Sequence, residues 1–517
     1  MAKGYNKLLR LTVLLVATLL LLSACGGEET VEKARESQEG REYTYPVVRL
    51  EGGDYGLPTP FLHYGRGPGG YKMALIFDSL LEYGEEGLIP WLAKDYQLSE
   101  DERSYRFTLR EGDTWHDGKP VTAEDVKFSF EYFQEHPPVW NGVLLEGKPI
   151  VDSIEILEDD TLVFKLHEPT ATSLEQIGRV RIIPKHIWEK VENPETYDEE
   201  EALIGSGPFQ LTEYSSEHGT YEFTAFENYG GPKPGVEKIQ FVPVSDSIMA
   251  FENRQVDMIS INEDLLERYQ ENSEVEILED PGFWGYRLVF NLEDQEVLQN
   301  KDVRRAIAYG IDADNLIDKV ARGAATPGSP GYLPTDHIWY NERVGFYDYD
   351  SEKAKELLEG EEYSFTLLTG NDNREVRIGE LLKLSLAEVG IDIEVESIDG
   401  KARDSALQEG NYEILLTGHG GWGSDGDSLR SRYRISGFHN EKIEDLGRAQ
   451  LVEMDPEKRK EKIFALQEEI AKEVPMLPLF NTKGYRVYYR DGYDNWVYMF
   501  DHHNPIHSKL SFLEEIR

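Results

Sequence analysis

Between Ile378 and Val395 the hydrophobic spacing changes period, and this narrows the fold more than any other feature of the chain. Ile378, Leu381, Leu382, Leu386 and Val389 share one helical face, Gly390 stops the helix, and Ile391, Ile393 and Val395 then alternate as a strand does. Tyr412 to Leu416 is a further short apolar strand, and from Glu457 onward Ile463, Leu466 and Ile470 again mark one face of a helix. Helices alternating with strands predict a largely parallel α/β sheet in this half. Upstream, "VDSIEILEDDTLVFKL" (151–166) reads as a β-hairpin, and Thr122 with Asp125 reads as the capping box of an aromatic-rich helix carrying Val126, Phe130 and Phe133. These predict an α+β unit reaching to about Glu201. A chain of 517 residues exceeds one compact core, so two or three domains are expected.

Charge limits the partners. With 54 basic and 98 acidic residues the net charge is −44, which repels nucleic acid and anionic lipid surfaces and excludes them as partners. At the N-terminus, Lys3, Lys7 and Arg10 precede an apolar run, Leu11 to Leu22, too short to span a bilayer comfortably. Leu22-Ser23-Ala24-Cys25 follows and resembles the lipobox of a bacterial lipoprotein. That resemblance implies a signal peptide at 1–24, lipid on Cys25, and an extracytoplasmic protein held at the membrane by that anchor alone. Cys25 is the only cysteine, so there is no disulfide, thiolate metal site or cysteine nucleophile in the body. The Glu-, Gly- and Ser-rich stretch 25–42 reads as a flexible tether.

"IPWLAKDYQLSEDERSYRFTLREGDTWHDGKPVTAEDVKFSFEYF" (89–133) carries several specific words in a fixed order: Pro90-x-Leu92-Ala93, Tyr105-x-Phe107-x-Leu109-Arg110, Trp115-His116-Asp117-Gly118 and Pro120-x-Thr122-Ala123-x-Asp125-Val126. Together they closely resemble the signature region of the family 5 extracellular solute-binding proteins, the peptide- and nickel-binding receptors of ABC importers. Gly205-Ser206-Gly207-Pro208-Phe209, "NKDVRRAIAYGID" (300–312), "YDYDSEKAKELLE" (347–359) and "VPMLPLFN" (474–481) extend the resemblance along the chain. It implies an α/β bilobal fold of the periplasmic-binding-protein kind, class II, in three parts. The first lobe would comprise 43–75, 205–283 and 478–517, with an accessory subdomain at 76–204 and the second lobe at 284–477. Hinge crossings would lie near Pro281–Asn291 and Val474–Asn481. The implied protein is not an enzyme and needs no cofactor; it is a monomer that passes a small solute to ABC permease subunits.

"TGHGGWGSDGDSLRSRY" (417–433) offers three chemistries. Gly418-x-Gly420-x-x-Gly423 follows a strand, as a dinucleotide loop does, but Asp425 and Asp427 stand where phosphates would sit. Asp425-Gly426-Asp427 lacks the remaining carboxylates of a calcium loop. In family members that bind peptides, a Gly-rich strand ending in Trp-x-x-Asp faces the cleft, and Trp422 to Asp425 matches that spacing. The resemblance therefore implies backbone contacts at Gly421 and Gly423, a ring face from Trp422 and an acceptor for a ligand ammonium in Asp425. Gly426-Asp427-Ser428 departs from the peptide binders' pattern. Trp284 and Tyr286 at the first hinge, Arg66 and Tyr71 in an early loop, and Arg430 are further candidate ligand contacts, the arginines for a ligand carboxylate.

The expected cargo is thus a short peptide or an amine-bearing compound. The alternative is nickel or a metal chelate, which would draw on His419, His439 and the His502, His503 and His507 group. A secreted hydrolase or chaperone is a third class. Neither His-Glu-x-x-His nor Gly-x-Ser-x-Gly occurs, and Trp115-His116-Asp117-Gly118 reads as a turn, not a catalytic pair.

Overall fold

In a computed structural model of the chain, residues 43, 45–65, 68–140, 142–157, 160–420, 425–498 and 504–514 are described. The helix expected after Thr122 spans Ala123–Glu135 and is fixed at its start by a reciprocal capping box. Thr122 Oγ1 accepts from the Asp125 N–H at 3.3 Å, and Asp125 Oδ2 accepts from the Thr122 N–H at 2.9 Å. Its buried face sets Phe130 edge-on to Phe164 at 5.0 Å. Phe164 lies in the expected hairpin, Val151–Ile156 with Thr161–Leu166, half of an antiparallel sheet completed by Ala93–Leu98 and Ser104–Leu109. Trp115 is fully buried. His116 ties the turn to the glycine element instead of facing solvent: Nδ1 accepts from the Gly205 N–H at 3.2 Å and Nε2 is 3.0 Å from the Gly207 carbonyl. Burial pushes its imidazolium down to about 4. Trp115-His116-Asp117-Gly118 is therefore a structural corner.

A second four-stranded sheet runs in the order Tyr45–Glu51, Val236–Val242, Thr220–Ala225, Phe209–Ser215. Gly205 and Gly207 lead into it under a tight constraint. A Cβ on Gly205 would lie 2.0 Å from the Ile76 carbonyl oxygen, and one on Gly207 would lie 2.5 Å from that of Leu75. The C-terminal segment returns here. Lys509, buried, places Nζ 2.7 Å from both Asp78 and Glu82, and Trp91 and Tyr229 also donate to Asp78. Burial raises the Glu82 carboxyl, but Arg181 and Lys509 outweigh it and hold the group well below the ordinary range. Lys72 is buried without such help. Its ammonium lies 3.8 Å from the Phe241 ring centroid, near Tyr55 and Tyr221, and burial pushes it down to about 7.

The third sheet holds seven strands: Met258–Ile261, Met476–Tyr489, Val275–Phe290, Ile414–His419, Tyr363–Gly370 and Ile391–Ile398 in that order, with Ala325–Pro327 on Met476–Tyr489. The expectation of a largely parallel sheet needs correcting. Only the last three strands of that order run parallel to one another; Val275–Phe290 and Met476–Tyr489 pair antiparallel to each other. The sequence pattern marks strands but not their direction, and these two long strands are brought together from far apart in the chain. One face of the sheet buries Leu288, Phe290, Ile414 and Leu416 against Ile378, Leu382 and Leu386. The other buries Val289 and Met476 against Leu429, Tyr433, Ile463 and Leu466.

The long pair continues from Val275↔Tyr489 to Val289↔Met476, and its pairing lapses between Asp280 and Trp284. The boundaries expected at 283/284 and 477/478 fall inside these strands. Val47–Arg517 forms one compact unit; of the other, Met1–Pro46, only 43, 45 and 46 are described. Among the described residues no helix is long and apolar enough to cross a membrane. The apolar run Leu11–Leu22 and Cys25 lie outside them.

Candidate functional site

The strand Ile414–His419 is paired along its whole length with Val275–Phe290, from Phe290↔Ile414 to Gly285↔His419. On its other edge Tyr363–Gly370 pairs through Ile414 and Leu415, and among the described residues no strand pairs with Leu416 to Gly418 there. Trp284, 48 % exposed, lies across the end of the strand. A Cβ on Gly418 would come within 2.5 Å of its indole and one on Gly420 within 2.6 Å, so the glycines are what let the ring lie flat on the backbone. Tyr286, on the same face, is half-buried against Phe480 at 5.4 Å and belongs more to the core than to the open surface.

On the opposite face Gly285↔His419 and Arg287↔Thr417 are neighbouring pairs. His419 is buried, and burial together with Arg287 and Arg432 holds its imidazolium well below the ordinary value. A neutral ring between guanidinium groups is a poor place for a metal cation. His439 is exposed on the surface, 3.4 Å from Glu444. Among the described residues no group of three His, Cys, Asp or Glu is placed to hold a metal.

Asp425 opens the next turn. Its carboxylate accepts from the Asp427 N–H at 2.7 Å and is gripped by both terminal nitrogens of Arg459, Nη1 at 2.7 Å from Oδ2. The expected ammonium acceptor thus meets a ligand only in the company of Arg459, delivered by the helix Pro456–Glu473. Arg430 is also engaged. It holds Asp427 through Nε at 2.9 Å and reaches Glu146 through Nη1, so it is not open to a ligand carboxylate. These bonds raise its guanidinium further above its ordinary value. Gln450 closes the network, bonded to Asp427 and to Arg459.

Tyr71 sits elsewhere, in the helix Gly69–Ile76, stacked on His507 at 4.6 Å and edge-on to Trp140 at 5.6 Å. With His63, Phe133, Trp140, Arg179 and Arg181 it lines a cavity of about 350 Å³. Sequence reasoning missed all of these but Tyr71. Trp140, 43 % exposed and two residues after Pro138, was the one available signal. Arg66, Gly421, Trp422, Gly423, His502 and His503 lie outside the described residues.

A family model described as "Bacterial extracellular solute-binding proteins, family 5 Middle" matches residues 87–440. The chain belongs to this family. The solute-binding protein is 27 % identical over 391 residues to the dipeptide-binding protein of Escherichia coli K12, across 68 % of this chain and 72 % of that one. It is 24 % identical over 537 residues to heme-binding protein A of Haemophilus influenzae, covering 92 % and 94 % of the two. Among solved structures, the ABC transporter substrate-binding protein CtaP of Listeria monocytogenes matches with a TM-score of 0.76 at 26 % identity, over 87 % of this chain and 94 % of that one. NikA of Brucella suis in complex with Fe(III)-EDTA matches at 0.77 and 22 % identity, over 90 % and 99 %, which shows the fold alone. The bilobal fold expected from the sequence is the fold found. The protein is a solute-binding receptor that delivers its cargo to an ABC importer, in a family of transport proteins that act outside the cytoplasm.

Proposed function

We propose that this solute-binding protein carries a short peptide or a similar amine-bearing compound, bound in extended form beside the strand Ile414–His419. The observation that carries this reading is the edge of that strand from Leu416 to Gly418, on which no strand pairs among the described residues, with Gly418 and Gly420 at its open end. An extended solute can pair its main chain with such an edge, and the exposed Trp284 indole offers a face to what it carries. Three of about four lone-pair positions on Asp425 are taken among the described residues, and its side chain is 20 % exposed, which leaves room for an ammonium donor beside Arg459. The dipeptide-binding relative supports the same class of cargo.

Native mass spectrometry of the purified protein, followed by calorimetry with a dipeptide panel and nickel–histidine, tests the reading. A retained peptide mass and a measurable dipeptide Kd are expected. A nickel adduct with no dipeptide heat would overturn it. We further propose that Cys25 carries the lipid anchor of a monomeric receptor; loss of fatty-acid labelling in Cys25→Ala is expected, and unchanged labelling would refute it.

A further inference from the structure

The face of Val275–Phe290 turned away from Trp284 gathers positive charge. Arg287 stands between Gly285 and Val289 on that face, level with Thr417 of the neighbouring strand. Val289 is buried there against Leu429 and Tyr433, so the short helix Leu429–Arg432 passes over the sheet. Its last residue reaches the end of the strand, where Arg432 Nη1 donates to the Gly420 carbonyl at 3.2 Å. His419 lies beside both arginines, its ring held neutral by burial and by their charges. Burial, and then the charge of Arg287, pushes the Arg432 guanidinium down to about 10.

Arg287 has no counter-charge. Its Nε is buried without a hydrogen bond, and its two terminal nitrogens make neither a hydrogen bond nor an ion pair among the described residues. Burial lowers its pKa, and the groups that oppose this are the phenols of Tyr332 and Tyr412, not a carboxylate. The acids on the nearby turn are engaged elsewhere, Asp425 with Arg459 and Asp427 with Arg430. In a chain with 98 acidic residues none is placed to serve this guanidinium, which loses hydration with nothing in exchange. Nε is enclosed but the terminal nitrogens are open to solvent, so a ligand meets the fork of the guanidinium and has no need to reach Nε. A planar carboxylate fits such a fork with two parallel hydrogen bonds.

We propose that Arg287 and Arg432 form a binding site for one carboxylate group, supplied either by the cargo or by a small anion from solution. Only the first source rests on the peptide reading.

Formate, replacing chloride at constant ionic strength, is the free-anion probe, read by thermal melts of the full chain. Ala-Ala and Ala-Ala amide, read by calorimetry, are the cargo probes. A saturable rise in melting temperature with formate is expected, although the net charge of −44 repels anions at long range. Arg287→Met should melt no lower than wild type in chloride, because it removes an uncompensated charge, and should lose the formate response. If the cargo supplies the group, Ala-Ala should bind about tenfold more tightly than its amide, against the acidic field that favours the amide, and formate should compete with it. A formate response without competition, and with equal affinity for acid and amide, assigns the site to an anion from solution. No formate response together with equal affinity for acid and amide, or either effect unchanged in Arg287→Met, would overturn the proposal. If Arg287→Met does not fold, Arg432→Gln takes its place, and if neither folds the wild-type responses decide. A formate response without binding of any dipeptide would leave the site standing and remove the peptide reading. Dipeptide binding with no formate response and no preference for the acid would do the reverse.

Discussion

Arg430 holds Glu146 across the groove between the hairpin Leu144–Pro149 and the helix Glu441–Leu451, joining the part of the chain built on the 93–166 sheet to the part built on the seven-stranded sheet. The Ala171 N–H donates to the Leu451 carbonyl at 2.8 Å beside it. Through Asp427, Gln450 and Arg459 the same arginine is connected to Asp425.

Glu146→Gln should therefore loosen the contact between these two parts of the chain without unfolding the protein. Glu146 is largely exposed, so the pair contributes at most about 1 kcal/mol and less at high salt. Ligand dissociation in stopped flow should speed up by up to about fivefold at low ionic strength, and the gap between variant and wild type should close as salt is added. A dissociation rate insensitive to both changes would assign the contact no part in closure.

Arg459→Gln leaves Asp425 and Gln450 without their shared donor in a buried setting. A loss of about 3 kcal/mol in urea unfolding is expected, because removing one member of a buried pair strands the other. Asp425→Asn in the Arg459→Gln background should cost less than the sum of the single changes.

Gly420→Ala puts a methyl group where the Trp284 indole now rests, 2.6 Å away. The exposed ring can swing aside, so stability should change by under about 1 kcal/mol, while cargo affinity falls and the tryptophan emission shifts. Affinity equal to wild type would remove Trp284 from the binding surface.

Lys72 gives a pH signature. Its ammonium is pushed down to about 7 in the folded protein, whereas in the unfolded chain it titrates near 10.4. Between those values the unfolded state binds more protons, so this lysine makes stability rise with pH, by at most about 1.4 kcal/mol per unit. Denaturant melts from neutral to alkaline pH should show this rise in wild type and lose it in Lys72→Met.

Local chemistry was legible in the sequence. The Thr122–Asp125 box, the 151–166 hairpin and the stop at Gly390, whose φ of +92° suits glycine, each depend on residues a few positions apart. The family words at 89–133 led to the bilobal fold because such words are themselves local packing rules, as the His116 bridge to Gly205 and Gly207 illustrates. What could not be read is what distant segments do to one another. Nothing near Asp425 announces Arg459 from a helix more than thirty residues on, and the turn "WGSDGDS" looks the same with or without it. The cavity around His63 draws on segments at 60–73, 133–142 and 175–181 that share no pattern. Strand direction was equally hidden, since an apolar run such as Val275–Phe290 reads alike from either end.

The strands Val275–Phe290 and Met476–Tyr489, where the hinge crossings were expected, are one ribbon, tied from Val275↔Tyr489 to Val289↔Met476 with its widest lapse between Asp280 and Trp284 and a smaller register shift between Tyr286 and Arg287. Two separate loops would let the halves swivel and shear; a laced ribbon gives most easily at its missing rungs, like a door on a single pin. Trp284 stands at that pin. The ring proposed as a face for the cargo is therefore carried by the axle on which the two parts of the sheet would turn.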